Sequence, residues 1–146
     1  MTGLPEDAAV ARSIRLVVFD LGLQKLRDAG IPAWVLSTEE HPAVSRRCRK
    51  LGIPCRQGLA DKRSALEQLA DEMGVPLGDV AYVGNDINDV ECLRVSGIPI
   101  VVHDAHPDVL AFARYRTRTA GRFGAVREVC DWLSASVRAP AATIPA

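Results

Sequence analysis

Between residues 14 and 133, short apolar runs alternate with segments of helical spacing, and this alternation confines the fold more than any other feature of the chain. Ile14 to Phe19, Ile31 to Leu36, Ile53 to Gln57, Val80 to Val83 and Ile98 to Val102 read as strands. Leu21 to Ala29, Pro42 to Leu51, Lys62 to Met73, Asn88 to Val95, Pro107 to Ala113 and Ala125 to Leu133 read as helices. Gly30, Gly52 and Gly74 follow three of them, where a left-handed cap is wanted. Strands that alternate with helices predict an α/β domain with a mainly parallel sheet covered by helices on both faces. At 146 residues the chain is read as one domain, residues 14–136. Residues 1–13 read as a loose tail, and residues 137–146, rich in Ala and Pro, as a disordered one.

Composition removes several classes of function. Basic and acidic side chains balance at 18 against 18, so no net field draws the molecule to nucleic acid or an acidic membrane. The apolar runs are far below membrane-spanning length, and the N-terminus lacks a basic-then-apolar signal pattern. Cys48, Cys55, Cys92 and Cys130 form no C-x-x-C pair and no zinc spacing, which suits reduced, structural thiols and a cytoplasmic setting.

The chemistry concentrates where strands end. Val80-Ala81-Tyr82-Val83 stops at Gly84, and Asp86 and Asp89 follow three residues apart. Paired acids at such a place suit a hard cation such as Mg²⁺, which takes oxygen ligands and usually bridges to a phosphate. The alternative is a turn in which Asn85 and Asp86 cap the next helix. Asp20 follows the first strand, Ser37 and Thr38 the second, and Lys62 opens a helix after Gly58. In a parallel sheet these ends share one edge. An aspartate, a hydroxyl, a lysine and two further acids gathered there describe phosphoryl transfer: a carboxylate nucleophile, donors for the phosphoryl oxygens and a cation to offset charge. His103 and His106, flanking Asp104, read either as a metal cluster or as a strand-ending turn with Pro107 opening the next helix.

The stretches LVVFD, LSTEEHPAVSRRCRKLGIPCRQGLADK, VAYVGNDINDVECL, DAHPDV and GRFGAVREVCDWL carry a resemblance. Over about residues 14 to 133 the chain resembles the haloacid dehalogenase superfamily of Mg²⁺-dependent phosphatases. Within it, the chain is similar to the capless branch of 3-deoxy-D-manno-octulosonate 8-phosphate phosphatases, which also supplies the phosphatase-like domain of some acylneuraminate cytidylyltransferases. The resemblance implies a three-layer α/β/α, Rossmann-like fold without a cap domain. It implies Asp20 as nucleophile and Mg²⁺ ligand, and Ser37, Thr38 and Lys62 as phosphate partners, Lys62 also serving catalysis. It further implies Asp86 as Mg²⁺ ligand and Asp89 as a second metal-site acid. Glu39 and Lys50 match positions of phosphatases acting on nonulosonate 9-phosphates, the sialic-acid type. The bland reading makes them a solvent-facing acid and a helix-end lysine favourable to the helix dipole. Arg122, in the glycine-rich Gly121-Arg122-Phe123-Gly124, is placed to meet a sugar acid's carboxylate.

The chain also departs from the pattern. The family's first motif is D-x-D-G, whose second Asp protonates the leaving oxygen and then activates water. Here the sequence is Asp20-Leu21-Gly22-Leu23, and glycine has no proton to give. Relatives insert a β-hairpin and a loop ending in D-G-x-G after this motif; here Leu23-Gln24-Lys25-Leu26 follows at once. Asp20 is therefore either the nucleophile or a remnant of that later loop. A missing general acid-base commonly costs about 10²- to 10⁴-fold in rate. The expectation is a sugar-phosphate phosphatase with impaired activity. The alternative is an inactive binding or scaffold module associated with an acylneuraminate cytidylyltransferase. A homo-oligomer is possible for the branch, although its tetramer uses the missing hairpin. A receiver-like phosphoaspartate domain would want paired acids after the first strand and a Lys after the last, and has neither here.

Overall fold

Six parallel strands form the frame of the computed structural model, which describes residues 3–6, 8–20, 31–121 and 124–138. The strands are β1 Leu16–Phe19, β2 Ala33–Leu36, β3 Cys55–Arg56, β4 Val80–Gly84, β5 Ile98–Val101 and β6 Tyr115–Arg116. The helices are α1 Ala8–Ser13, α2 Pro42–Leu51, α3 Lys62–Met73, α4 Val90–Val95 and α5 Ala125–Arg138. Three 3₁₀ turns join them: Leu77–Asp79, Ile87–Asp89 and Pro107–Phe112. The sheet order is β3-β2-β1-β4-β5-β6, with every neighbouring pair parallel.

The two central strands are apolar along their whole length because both faces are covered. Every residue of β1 and of β4 is buried. Val18 pairs with Trp34 on one side and Tyr82 on the other. Phe19, Leu36, Leu66, Leu69, Leu93 and Leu133 fill the layers above and below. α1 packs on α5, and α3 on α4.

The order of the strands places the site. From β1 the chain steps outward to β2 and β3; from β4 it steps the other way, to β5 and β6. The connections therefore diverge between β1 and β4, and in such sheets a crevice opens beyond the carboxyl ends of the strands at that point. Asp20 leaves β1 there, and Asp86 and Asp89 leave β4.

Local signals fix the helix bounds. α2 starts with Pro42 after His41, whose Nδ1 accepts the Ala43 amide at 3.0 Å. α3 starts after Asp61, which accepts the Ser64 amide at 3.1 Å. Gly52 and Gly74 close the two helices with φ of 71° and 67°, a conformation that costs other residues energy.

The structure differs from expectation in five places. Residues 8–13, expected within a loose tail, form α1: Ala11 is buried, and Trp132 Nε1 donates to the Pro5 carbonyl at 3.0 Å. So short a helix has no readable period and is held by its packing on α5. β6 was not expected, since Tyr115 and Arg116, between Arg114 and Thr117, carry no apolar run. The segment Pro107–Phe112 is 3₁₀ rather than α. Residues 87–89 form a 3₁₀ turn ahead of α4. α5 continues past Leu133 to Arg138, taking in Val137, which had been given to the tail. The helix expected over Leu21 to Ala29, Arg122 and residues 139–146 lie outside the described residues.

One backbone contact admits only glycine. A Cβ on Gly97 would lie 1.9 Å from the Gly78 carbonyl oxygen, because Gly97 donates its amide to Leu77 at 2.9 Å and the two segments run in contact. Gly97→Ala is expected to cost about 2–3 kcal/mol and to lower Tm by roughly 5–10 °C. A Cβ on Gly78 meets nothing within 4 Å, so Gly78→Ala in the same thermal melts should behave as the parent. Equal effects would refute the contact.

Candidate active site

Lys62 is the first residue of α3, and its buried ammonium lies between two carboxylates. Nζ is 2.5 Å from Asp20 Oδ1 and 2.7 Å from Asp89 Oδ1. Asp89 is fully buried, and both its oxygens are engaged. Oδ1 accepts from Lys62 and from the Tyr82 hydroxyl at 2.5 Å; Oδ2 accepts the Asn85 amide at 2.9 Å and the Asp86 amide at 3.1 Å. Gly84 makes this possible, since a Cβ there would lie 2.8 Å from the Asp89 side chain. Asp89, expected as a metal-site acid, is thus committed to holding Lys62, Tyr82 and the loop after β4. Any role at a metal would run through those partners.

Two acids against one lysine leave a net negative charge in a site shielded from water. Burial raises the Asp20 carboxyl, the neighbouring Asp89 charge adds to this, and Lys62 offsets only part, so that Asp20 is pushed up to about 7. Burial works on Asp89 in the same direction, but the Lys62 ammonium, Tyr82 and the Asn85 amide outweigh it and hold Asp89 below the usual carboxylate range. Burial, with Asp89 close by, keeps the Tyr82 phenol protonated as a donor.

Asp86 is exposed at the end of β4. Its Oδ1 accepts the Ile87 amide at 2.7 Å, and it forms a capping box with Asp89. The cap reading is therefore realised, and a carboxylate bonded this way still has acceptor capacity to spare. Among the described residues no three His, Cys, Asp or Glu side chains form a metal-binding group. The donors nevertheless fit Mg²⁺. That ion keeps several waters and is held by one or two carboxylates plus substrate phosphate. Asp20, beside a surplus of buried negative charge, and Asp86, on the adjacent strand end, are oxygen donors of this kind.

Ser37 directly follows β2 and is buried; its Oγ accepts the Glu39 amide at 3.1 Å. Thr38 Oγ1 accepts from Asn88 Nδ2 at 3.4 Å, joining the loop after β2 to the loop after β4. Glu39 turns its carboxylate back onto its own loop, where Oε1 accepts the His41 amide at 3.3 Å. Lys50 lies in the last turn of α2. The first turn is the one at the site edge, and about 1.5 Å of rise per residue carries Lys50 away from it. The structure therefore brings together Asp20, Lys62 and Asp89 directly, and the Ser37, Thr38 and Asp86 loops around them, but not Lys50. His106 Nδ1 accepts the Asp108 amide at 3.1 Å and Asp104 accepts the Gly121 amide at 2.8 Å, so this segment is a turn. Tyr82 is the functional residue that sequence reading missed. Its signal is a phenol amid aliphatic neighbours, since a buried hydroxyl requires a partner.

A family model described as haloacid dehalogenase-like hydrolase matches residues 57–129. A solved structure assigned to the HAD family, from Streptomyces avermitilis MA-4680, is 34% identical with a TM-score of 0.78, covering 87% of this chain and 89% of that one. The chain belongs to the haloacid dehalogenase-like hydrolases. Within that family it is similar to 3-deoxy-D-manno-octulosonate 8-phosphate phosphatases. The Escherichia coli K12 enzyme of that name is 36% identical over 113 residues, 77% of this chain. The chain spans 60% of that relative's length. The Moraxella catarrhalis enzyme, solved with magnesium, phosphate and KDO, superposes with a TM-score of 0.79 at 27% identity, covering 88% of this chain and 90% of that one. No helix among the described residues of this HAD-like chain is long and apolar enough to cross a membrane.

Proposed function

We propose that this HAD-like chain is a Mg²⁺-dependent sugar-phosphate phosphatase of low turnover, acting through an aspartyl-phosphate on Asp20. The observation that carries the reading is Lys62 bridging Asp20 and Asp89, at 2.5 Å and 2.7 Å, where the strand connections diverge. Supporting it are named relatives that act on 3-deoxy-D-manno-octulosonate 8-phosphate, and one that holds magnesium and phosphate.

In this mechanism an Asp20 oxygen attacks phosphorus while the bond from phosphorus to the sugar oxygen breaks. Lys62 holds Asp20 in line and pairs with a phosphoryl oxygen as charge builds there. The Ser37 and Thr38 hydroxyls donate to the other oxygens. Bound Mg²⁺, held by Asp20 and Asp86, would supply charge neutralisation of the phosphoryl group. Water then attacks phosphorus and frees phosphate and Asp20. The leaving oxygen needs a proton, and Gly22 has none, so solvent must supply it. That sets turnover about 10²- to 10⁴-fold below a general-acid enzyme.

The eight-carbon sugar acid is the substrate to try first. The Glu39 and Lys50 pair on which a nonulosonate 9-phosphate reading leans is not assembled within the chain: Glu39 bonds its own loop and Lys50 lies at the far end of α2. Purified protein with Mg²⁺ and 3-deoxy-D-manno-octulosonate 8-phosphate should release phosphate slowly, and chelation should stop it. Release no greater than from Asp86→Ala overturns the reading and leaves a binding module. Faster release from the 9-phosphate would change the sugar and keep the chemistry.

A further inference from the structure

Among the described residues, the backbone of the loop that carries Ser37, Thr38 and Glu39 is held by the side chain of Gln57 from outside it. Gln57 directly follows β3, and its amide makes three bonds. Nε2 donates to the Glu39 carbonyl at 3.2 Å and to the His41 carbonyl at 3.1 Å; Oε1 accepts the Ser45 amide at 2.9 Å. Around it the backbone adds Ser37 N to the Arg56 carbonyl at 3.0 Å, Gly58 N to the Glu39 carbonyl at 2.9 Å and Leu59 N to the Ser37 carbonyl at 3.1 Å. The main-chain bonds stop at residue 39. Among the described residues, Gln57 continues the attachment to residues 41 and 45, across the entry into α2.

Only a primary amide meets this pattern, with two donors and one acceptor in one plane. A carboxylate would set an oxygen against two carbonyls, and an alkyl group would leave both carbonyls and the Ser45 amide without it. The consequence reaches the site through one peptide. The Glu39 carbonyl that Gln57 holds belongs to the same residue as the amide that donates to Ser37 Oγ at 3.1 Å. If residue 39 tilts, the Ser37 hydroxyl loses its orientation.

We propose that Gln57 is a positioning residue for the phosphoryl group: it fixes residues 39 to 45 and thereby aims the Ser37 hydroxyl. This rests on reading Ser37 as a phosphate ligand. A residue that merely caps α2 would alter stability and leave phosphate affinity untouched.

The test uses the whole chain with Mg²⁺ and inorganic phosphate as the probe, titrated calorimetrically, with thermal melts in parallel. The variants are Ser37→Ala, Gln57→Glu, Gln57→Leu and the Ser37→Ala/Gln57→Leu double variant. Each single variant is expected to weaken phosphate about tenfold. The double variant should bind no more weakly than Ser37→Ala alone, because both act through one hydroxyl. Gln57→Leu, which adds no charge, carries the test if Gln57→Glu does not fold. A lowered Tm with unchanged phosphate affinity in the Gln57 variants overturns the proposal and leaves the phosphate reading standing. Additive losses also overturn it, since Gln57 would then act elsewhere. No effect of Ser37→Ala, or no binding by the parent, overturns the phosphate reading and this proposal with it.

Discussion

Lys62→Met is expected to be the most damaging substitution in the molecule, lowering stability by about 3–5 kcal/mol and Tm by roughly 10–15 °C at pH 8. Methionine fills similar space, so the loss is electrical. Asp20 and Asp89 lose the ammonium that lies 2.5 Å and 2.7 Å from them, and Asp89 is fully buried. A carboxyl whose folded pKa lies above its unfolded one binds more protons when folded, so its destabilising effect grows with pH through that window. Without Lys62 both acids move upward. The deficit should therefore shrink from pH 8 to pH 5, as the fold can take up protons in place of the cation. Thermal melts at both values decide it: an equal deficit at each would show that the loss is one of packing. Phosphate release should vanish as well.

Asp20→Asn should act in the opposite sense on stability. In the metal-free chain the Asp20 carboxyl is pushed from 3.8 to about 7, first by burial and next by Asp89. The folded state then holds this proton between those values and the unfolded state does not. Stability accordingly falls as pH rises from about 4 towards 7, and the whole cost is present above 7. A rise from 3.8 to about 7 would be worth about 4 kcal/mol at most. The side chain keeps 12% exposure and Lys62 can still relax, so on the order of 2 kcal/mol is expected. Asparagine does not titrate. At pH 8 without metal, the variant should melt about 5 °C above the parent; at pH 4 the two should converge. Mg²⁺ should raise the parent and not the variant, because it binds the folded carboxylate. Turnover should be lost. A variant that melts at or below the parent at pH 8 would contradict the charge imbalance described for the site.

The sequence was most legible where an element carries its own punctuation. α2 and α3 match their expected bounds because Pro42, Gly52, Asp61 and Gly74 mark their ends chemically. α1 and β6 lack such marks and are made by neighbours: Ala11 is buried and Trp132 bonds the Pro5 carbonyl, while Tyr115 pairs with Ile100. Much of the site was legible because parallel strands send their ends to one edge, which gathers Asp20, Ser37, Lys62, Asp86 and Asp89. The division of labour between Asp86 and Asp89 was not. Three residues of spacing cannot tell which carboxylate turns inward to Lys62, Tyr82 and two amides. Lys50 was legible only as a helix position, since its spacing from Glu39 does not say that it lies in the last turn of α2.

Both outer strands, β3 and β6, are only two residues long, and each bears an arginine. The Arg56 guanidinium stacks 5.0 Å from the Trp34 ring centroid and pairs with Glu72, while Arg116 bonds the His103 carbonyl. Fibril growth by strand addition needs a flat, uncharged margin of about six residues. Neither margin among the described residues provides one, so this protein should tolerate crowding without sheet-to-sheet polymerisation.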